Sequence, residues 1–279
     1  MSRLLIFGPG YTASHIAAAL QAREFVVETI SRAEFARDDA VLAAIGRASH
    51  ILSSVPPETD RDPVLARYGR AIAACRAEWI GYLSSTGVYG DTGGAWVDES
   101  APIGAGRRTA RAAADRDWTA LHPQVRAFRL PGIYGPGRSP LDRVMAGKAH
   151  RVDLPGQVFS RVHVDDIVGG VLASIDRGPP GIYNLADDRP ASQNEVIEAA
   201  CALLGLPLPP MQNLEEAGLS PAARAFYSEN RRVANGKAKR LLQWRPTCPD
   251  YAAGLRALSA TTSPATASTV PATADGVQR

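Results

Sequence analysis

The chain of 279 residues has an ordinary globular composition, with 45% hydrophobic and 21% charged residues. Its formal net charge of +3 comes without a basic run, so nucleic acid is not an expected partner. Its three cysteines and five histidines lack ligand or disulfide spacing, so we expect neither a metal site nor a disulfide framework. No signal peptide and no apolar stretch of membrane length is recognisable. We therefore expect a cytoplasmic protein, monomeric or homodimeric, with a small-molecule substrate and no membrane partner.

The first apolar run ends in a glycine-rich turn that leads directly into an Ala-rich helical segment. Gly8, Gly10 and Ala13 form a Gly-x-Gly-x-x-Ala pattern, which is typical of a turn that binds a dinucleotide. Gly8 permits the tight turn, and Gly10 lets the backbone approach a diphosphate. Free N–H groups near Tyr11 and Thr12, at the start of the helix, favour the negative charge. The alternative is a glycine turn that only connects strand and helix.

The end of the second strand bears on the identity of the nucleotide. An acidic residue about twenty positions past the glycines selects NAD, because it binds the ribose 2′-hydroxyl. Here the apolar run at 25–30 ends in Ser31 and Arg32, a hydroxyl and a guanidinium that suit a 2′-phosphate. Glu28 lies too early in the strand to be this terminal acidic residue, unless the strand is shorter than we expect. The sequence thus favours NADP, although NAD is possible. The alternative is that Arg32 is only a solvated charge in a loop.

Strand-like and helix-like segments alternate after this point, the pattern of a parallel sheet covered by helices. We expect Val55 and Pro56, at the end of the third strand, to border the cofactor, because open α/β sheets bind ligands at the carboxyl ends of their strands. A capping box from Ser192 to Glu195 predicts the start of a helix. The expected strands lie at 50–55, 79–85, 125–130 and 181–185, and the expected helices at 63–75 and 163–176.

Five segments, in this order along the chain, resemble the extended short-chain dehydrogenase/reductases, also called the NAD-dependent epimerase/dehydratase family. They are the glycine motif and residues 83–90, 129–138, 159–167 and 183–188. The resemblance spans residues 3 to about 256. It implies an α/β fold, a Rossmann-type doubly wound parallel sheet with a small C-terminal substrate lobe. The Gly-x-Gly-x-x-Ala spacing resembles an atypical subgroup, since extended members usually have Gly-x-x-Gly-x-x-Gly.

This resemblance suggests a division of the chain. A Rossmann core of residues 1–133, joined by 162–188, would carry the cofactor, and a lobe of 134–161 and 189–258 would carry the substrate. Residues 259–279 consist of small residues with little to bury, so we expect a disordered tail.

Polar residues at the end of the strand at 79–85 are candidates for the site. The hydroxyls of Ser84 and Thr86 can donate a hydrogen bond to a substrate carbonyl. Alternatively, such small polar residues only cap the end of the strand. We assign Ser84 to the cofactor side of the site. By resemblance, Thr86 occupies the catalytic Ser/Thr position. By resemblance also, Pro131 and Ile133 wall the nicotinamide, while Tyr134 faces the substrate or is simply packed.

The motif Arg161-x-His163-x-Asp165-Asp166 permits two interpretations. A histidine beside two carboxylates suits acid/base work. Alternatively, one of the aspartates caps the following helix and Arg161 pairs with a carboxylate. In the similar family the motif is mainly architectural and lies near the substrate cleft. We favour the structural role, and expect Arg161 and His163, together with Arg138, near the substrate.

The family's catalytic Tyr-x-x-x-Lys pair is absent from the sequence. The alignment puts Arg107 at the tyrosine position and Arg111 at the lysine position, and no tyrosine of the chain has a lysine four residues on. Arg111 is expected to hold the nicotinamide ribose. Arg107 keeps its proton near neutrality, so we expect it to bind substrate. Alternatively, both arginines are surface charges on an exposed helix. If a phenol donates the proton, Tyr89 is the nearest candidate by sequence.

Two classes of function follow. The first is an NADP-dependent oxidoreductase or epimerase for a small carbonyl or hydroxyl substrate, in which Thr86, with Tyr89 or water, handles the proton. The second is a non-catalytic NADP-binding redox sensor. The retained C-terminal half and its arginines favour the enzyme.

Overall fold

The computed structural model describes residues 1–58, 61–106 and 109–262. The strands are β1 Arg3–Phe7, β2 Val26–Ile30, β3 His50–Ser53, β4 Trp79–Ser85, β5 Trp96–Val97, β6 Val125–Leu130, β7 Gly132–Tyr134, β8 Arg151–Val152, β9 Arg161–His163, β10 Gly181–Asn184, β11 Met211–Gln212 and β12 Arg232–Val233. The helices are α1 Tyr11–Gln21, α2 Asp38–Arg47, α3 Pro63–Ala73, α4 Thr109–Leu121, α5 Pro140–Met145, α6 Val164–Asp176, α7 Gln193–Leu204, α8 Pro221–Arg224, α9 Gly236–Leu241 and α10 Tyr251–Thr262. Two 3₁₀ turns span Thr86–Tyr89 and Ala225–Ser228.

Within these residues the main sheet has six strands in the order β10-β6-β4-β3-β1-β2. All of its pairings are parallel. The chain passes from β1 to β2 on one side and then to β3 on the other, so the strand order reverses between β1 and β3. Ligands of open α/β sheets bind at such a reversal. The predicted doubly wound parallel sheet is confirmed.

The sheet is buried on both faces. One apolar cluster includes Ile16 of α1 and Ile167 of α6, and the other includes Ile45 of α2, Tyr68 of α3 and Trp118 of α4. Burial on both faces explains why the inner strands β1 and β4 are mostly apolar rather than alternating, whereas β6 also contains the buried Arg126 and Arg129. Strands β4 and β6 have the bounds predicted from sequence.

A separate apolar cluster lies beyond the sheet, between α5, α7 and α10. It contains Leu141, Val144, Ile197 and Leu255. The predicted capping box is present: the Ser192 hydroxyl accepts from the Glu195 N–H, and the Glu195 carboxylate accepts from the Ser192 N–H. The division into a core and a lobe at the residues given above remains a prediction.

Helix α10 changes the expected start of the C-terminal tail. The helix runs to Thr262, although a disordered tail is predicted from residue 259. Leu258 is buried against the lobe, so the helix is anchored there and its last turn needs no apolar residue of its own. The rest of the predicted tail, 263–279, lies outside the described residues. Among the helices that are described, none is long and apolar enough to cross a membrane.

Candidate cofactor and substrate cleft

The loop between β1 and α1 forms an open cradle of backbone N–H groups. Gly8 has a φ of +76°, and an added Cβ would lie 2.8 Å from Cγ2 of Val55. At Gly10 an added Cβ would meet nothing within 4 Å. The first helical hydrogen bond runs from the N–H of Ser14 to the carbonyl of Gly10, at 2.8 Å, and no side chain caps the helix. The N–H groups of the first turn therefore point into open space, a cradle that fits a diphosphate.

Strand β3 holds this loop from the other side of the strand reversal. The hydroxyl of Ser54 donates to the Gly8 carbonyl at 2.6 Å, and Pro56 follows at the rim. Val55 does not line the cleft: it packs against Gly8 and against the apolar cluster that contains Ile45, Tyr68 and Trp118. Its contribution is steric, because its side chain leaves room for glycine alone at position 8.

At the end of β2, Ser31 is bound to a carboxylate that the sequence analysis overlooked. The N–H and the hydroxyl of Ser31 both donate to Oε2 of Glu34, at 2.9 and 2.7 Å. These two hydrogen bonds hold the pKa of Glu34 below its usual range. Arg32 is exposed and makes no ion pair within the described part of the chain. The donors assigned to a 2′-phosphate are thus partly occupied by a neighbouring negative charge.

A cleft of about 720 Å³ extends from the glycine loop across the carboxyl ends of the strands to the lobe. Predicted site residues that line it are Gly10, Tyr11, Thr12, Pro56, Ser84, Thr86, Arg111, Pro131, Ile133, Arg138 and Arg161. Another cavity, of about 600 Å³, lies at the β10 edge of the sheet and is lined in part by Glu99, His122 and Lys237. The predicted residues thus converge on the cleft at the strand reversal.

Ser84 belongs to a buried ionic network beneath the cleft. Its hydroxyl donates to Oδ2 of Asp115 at 2.5 Å. Arg129 donates to both oxygens of the same carboxylate, at 3.2 and 2.7 Å, and the two side chains are 2% and 1% exposed. The Ser84 hydroxyl therefore ties the end of β4 to α4, a structural role, and its assignment to the cofactor side stays a prediction.

Tyr89 is a member of the same network and is not in a position to donate a proton to a ligand. Its hydroxyl donates to Oδ1 of Asn184 at 2.7 Å and accepts from Nη1 of Arg129 at 3.0 Å. The ring is 2% exposed, and burial raises the pKa of its phenol. This geometry speaks against Tyr89 as the catalytic phenol, because a reacting group must come within reach of the substrate; its catalytic role stays a prediction.

Ser85 is a functional candidate that the sequence analysis missed. It lines the cleft and is half-buried, whereas Thr86 lines the cleft but is only 4% exposed. The Ser85 hydroxyl caps the 3₁₀ turn by accepting from the Gly87 N–H at 3.1 Å. A hydroxyl that accepts through its oxygen still has its proton to donate. A serine directly before such a turn was the available signal.

Of the two arginines that replace the family's catalytic pair, one can be placed. Arg111, on α4, is half-buried, lines the cleft and makes no ion pair among the described residues. Arg107 lies outside the described residues.

Two residues assigned to the substrate are buried away from the cleft. Tyr134 is 5% exposed and packs so closely against Gly254 that an added Cβ there would lie 2.0 Å from its hydroxyl oxygen. His163 is 4% exposed, its ring lies edge-on to Tyr134, and its Nδ1 accepts from the Asp165 N–H at the start of α6. His163 thus caps the helix, a role that the sequence analysis gave to an aspartate.

Asp166 has a different structural role. Its carboxylate accepts from the N–H groups of Thr247 and Cys248, which ties the C-terminal segment to α6. These contacts support a structural role for the motif at 161–166. The histidine caps the helix, and Asp166 binds the C-terminal segment instead.

Arg161 closes the floor of the cleft on the lobe side. Its guanidinium donates to the carbonyls of Phe159 and Ala191, both at 2.9 Å, and to Oε1 of Gln193 at 3.1 Å. Asp187 is nearby but forms no ion pair with it, and burial raises the pKa of this carboxyl to about 8, although Arg161 opposes the rise. Arg161 therefore binds backbone carbonyls instead of the carboxylate expected as an alternative.

The lobe wall of the cleft contains residues for which the sequence gave no signal beyond the motif that includes Phe159. Phe159 and Tyr227 are half-buried, and their rings meet edge to face with centroids 5.5 Å apart. His150 lies 3.3 Å from the Tyr227 hydroxyl through Nε2 and 3.5 Å from Arg143 through Nδ1. This group, which we call the lobe wall, consists of Arg143, His150, Phe159 and Tyr227.

Comparison with known proteins agrees with this architecture, although no family model matches the chain. A conserved protein of unknown function from Silicibacter pomeroyi is 42% identical, with 94% of this chain and 99% of that chain covered and a TM-score of 0.85. The human epimerase family protein SDR39U1, solved with NADPH, is 16% identical over 92% of this chain and 99% of its own, with a TM-score of 0.75. A UDP-glucose 4-epimerase from Thermotoga maritima is 15% identical over 92% of this chain and 97% of its own, with a TM-score of 0.69.

A curated relative adds a reductase to these similarities. The 3-diazoavenalumate denitrifying reductase of a Streptomyces species is 30% identical over 139 residues, 46% of this chain. The matched part spans 45% of that reductase, less than half of its length. The chain therefore belongs to one family with the Silicibacter pomeroyi protein, and its fold is that of the extended short-chain dehydrogenase/reductases, as its motifs predict.

Proposed function

We propose that the protein is an NAD(P)-dependent oxidoreductase that acts on a small substrate without a Tyr-x-x-x-Lys pair. The observation that carries this proposal is the continuity of the cleft: the glycine cradle opens into the same cavity as Ser85, Thr86 and Arg111. The reductase among the relatives supports reduction over epimerisation. The SDR39U1 structure with NADPH supports the choice of cofactor.

The cradle fits the diphosphate of such a cofactor. Gly8 and Gly10 leave its backbone uncovered, and the first turn of α1 offers N–H groups to phosphate oxygens. Pro131 and Ile133, after β6, would flank the nicotinamide, and Arg111 would hold its ribose. When bound, a reduced nicotinamide supplies the hydride.

Hydroxyl groups and solvent would bind the substrate and supply its proton. Ser85 and Thr86 lie where a strand end meets the cleft, and a hydroxyl there orients the substrate by donating a hydrogen bond to its polar atom. The Arg111 guanidinium contributes positive charge. The proton that the reduced product takes up then comes from water, relayed by a hydroxyl.

Cofactor preference rests on two opposed charges at the end of β2. Arg32 attracts a 2′-phosphate, and the Glu34 carboxylate, held by Ser31, repels it. We propose NADP as the preferred cofactor, with a smaller margin over NAD than an arginine alone would give.

Calorimetric titration of NADPH and NADH tests the cofactor. Arg32→Ala is expected to weaken NADPH binding with little effect on NADH, and Glu34→Gln to strengthen NADPH binding. Arg70→Ala, an exposed arginine of α3, is the matched control and should change neither affinity. Tighter binding of NADH than NADPH by the wild-type protein would overturn the preference for NADP, and absence of binding by either would overturn the proposal itself.

Nicotinamide absorbance with a library of carbonyl and conjugated electrophiles then tests turnover. We expect oxidation of NADPH with at least one class. Tight NADPH binding without turnover of any class would favour the redox-sensor function, because the cradle would then serve binding alone.

A further inference from the structure

The lobe wall presents an aromatic surface and a cation side by side. Phe159 and Tyr227 form an edge-to-face pair, and both side chains line the cleft. Aromatic rings bind flat, conjugated groups through offset or edge-to-face contacts. The wall is therefore suited to a planar substrate.

Arg143 supplies the charge at this wall. Its Nη2 donates to the Lys148 carbonyl at 3.2 Å and lies 3.5 Å from His150, and it makes no ion pair among the described residues. Burial and the neighbouring Arg143 lower the pKa of His150, so the imidazole is neutral near neutral pH. The wall thus holds a single positive charge beside two neutral hydrogen-bonding groups, His150 and the Tyr227 hydroxyl.

The charge of the cleft as a whole has the same sign. Arg111, Arg138 and Arg143 line it without an ion-pair partner in the described ranges. The carboxylate among its lining residues is that of Glu229, whose Oε2 accepts from Arg231 at 2.9 Å. The guanidinium of Arg138 lies 5.7 Å from the centre of the Tyr11 ring, beside the glycine loop, so it belongs to the cofactor end. Arg143 is left to neutralise a negative charge on the substrate.

We propose that the substrate is a planar aromatic or conjugated carboxylic acid, with its ring on Phe159 and Tyr227 and its carboxylate on Arg143. This inference rests on the proposed function, since it names the substrate class of the same cleft. A guanidinium binds a carboxylate through two parallel hydrogen bonds. A nucleotide sugar carries a diphosphate, for which one unpaired arginine at this wall is a poor match.

Calorimetric binding of three probes to the full-length protein tests the inference, with and without NADP⁺. The probes are 4-hydroxycinnamate, its uncharged methyl ester and UDP. The acid is expected to bind at least about tenfold more tightly than the ester, because it makes a charge-assisted contact that the ester lacks. UDP should bind more weakly than the acid. Equal affinity for acid and ester, or tighter binding of UDP, would overturn the inference.

Two variants separate the charge from the aromatic surface. Arg143→Gln is expected to remove the preference for the acid over the ester, and Phe159→Leu to weaken both, while NADPH affinity stays unchanged in each. Arg70→Gln serves as the matched control, and the melting temperature of each variant reports its folding. An unchanged acid affinity in folded Arg143→Gln would refute the assignment. NADPH binding without binding of the acid refutes this inference and leaves the proposed function standing, whereas failure to bind NADPH refutes the proposed function.

Discussion

Neutralising Asp115, on α4, is expected to be among the most destabilising single changes in the buried core. Its carboxylate accepts two hydrogen bonds from Arg129 and one from Ser84, and both charged side chains are almost fully buried. In Asp115→Asn the shape is kept, but the Arg129 guanidinium becomes an uncompensated buried charge. Breaking a buried pair in this way costs about 3–5 kcal/mol.

Urea unfolding at neutral pH measures this loss, and an exposed ion pair provides the control. Arg47 and Glu28 lie 2.6 Å apart with side chains 44% and 39% exposed. Solvent screens this pair, so Glu28→Gln should cost less than about 1 kcal/mol. Replacing both buried partners, in Asp115→Leu with Arg129→Met, should recover much of the stability lost in Asp115→Asn, because no charge stays buried. Similar losses in Asp115→Asn and Glu28→Gln would refute this reasoning.

Three further predictions concern the cradle, the floor of the cleft and the hydroxyls. Gly8→Ala should lower the free energy of unfolding by more than about 1 kcal/mol, because φ is positive there and an added Cβ would meet Val55. Gly10→Ala should leave the free energy of unfolding unchanged and weaken only NADPH binding. Equal unfolding curves for the two variants would contradict this. Asp187 holds a proton in the native state up to about pH 8 but in the unfolded chain only to about pH 4, so the stability of the wild type relative to Asp187→Asn should fall as pH rises between these values. Urea unfolding at both ends of this range checks it, and a pH-independent difference would argue against it. With a substrate in hand, Ser85→Ala and Thr86→Val should lower kcat, and Tyr89→Phe should reduce stability by about 1–3 kcal/mol with kcat preserved; loss of turnover in a folded Tyr89→Phe protein would reverse the assignment.

The parallel sheet and the glycine turn could be predicted because their signals are local. Strands buried on both faces are rich in apolar residues, and β4 and β6 have the predicted bounds, although β6 also contains Arg126 and Arg129. The capping box of α7 is likewise contained within four neighbouring residues. In each case the residues that determine the structure are close together in the chain.

The role of Tyr89 could not be predicted, because its partners are distant in sequence. Arg129 lies 40 positions away and Asn184 lies 95 positions away, and only the order β4, β6, β10 brings them together. The lobe wall has the same property, since Tyr227 meets His150 across 77 positions. The prediction for Ser31 missed its partner for another reason. The carboxylate of Glu34, three residues later, accepts the hydrogen bonds that Ser31 was expected to donate to a phosphate.

In the proposed reaction, the charges of the cleft would allow reduction without a Tyr-x-x-x-Lys pair. Arginine keeps its proton at neutral pH, so Arg111 and Arg143 stabilise negative charge without transferring a proton. A substrate that accepts a hydride gains negative charge, and cations already fixed beside it lower the energy of that charge. If the charge is delocalised over a conjugated acid, protonation need not coincide with hydride transfer, and water entering the exposed cleft can supply the proton afterwards. A phenol held ready to donate is essential only where the charge would otherwise stay on one oxygen, as in a simple ketone. The arginines and the absent Tyr-x-x-x-Lys pair therefore point to the same conjugated, anionic class of substrate.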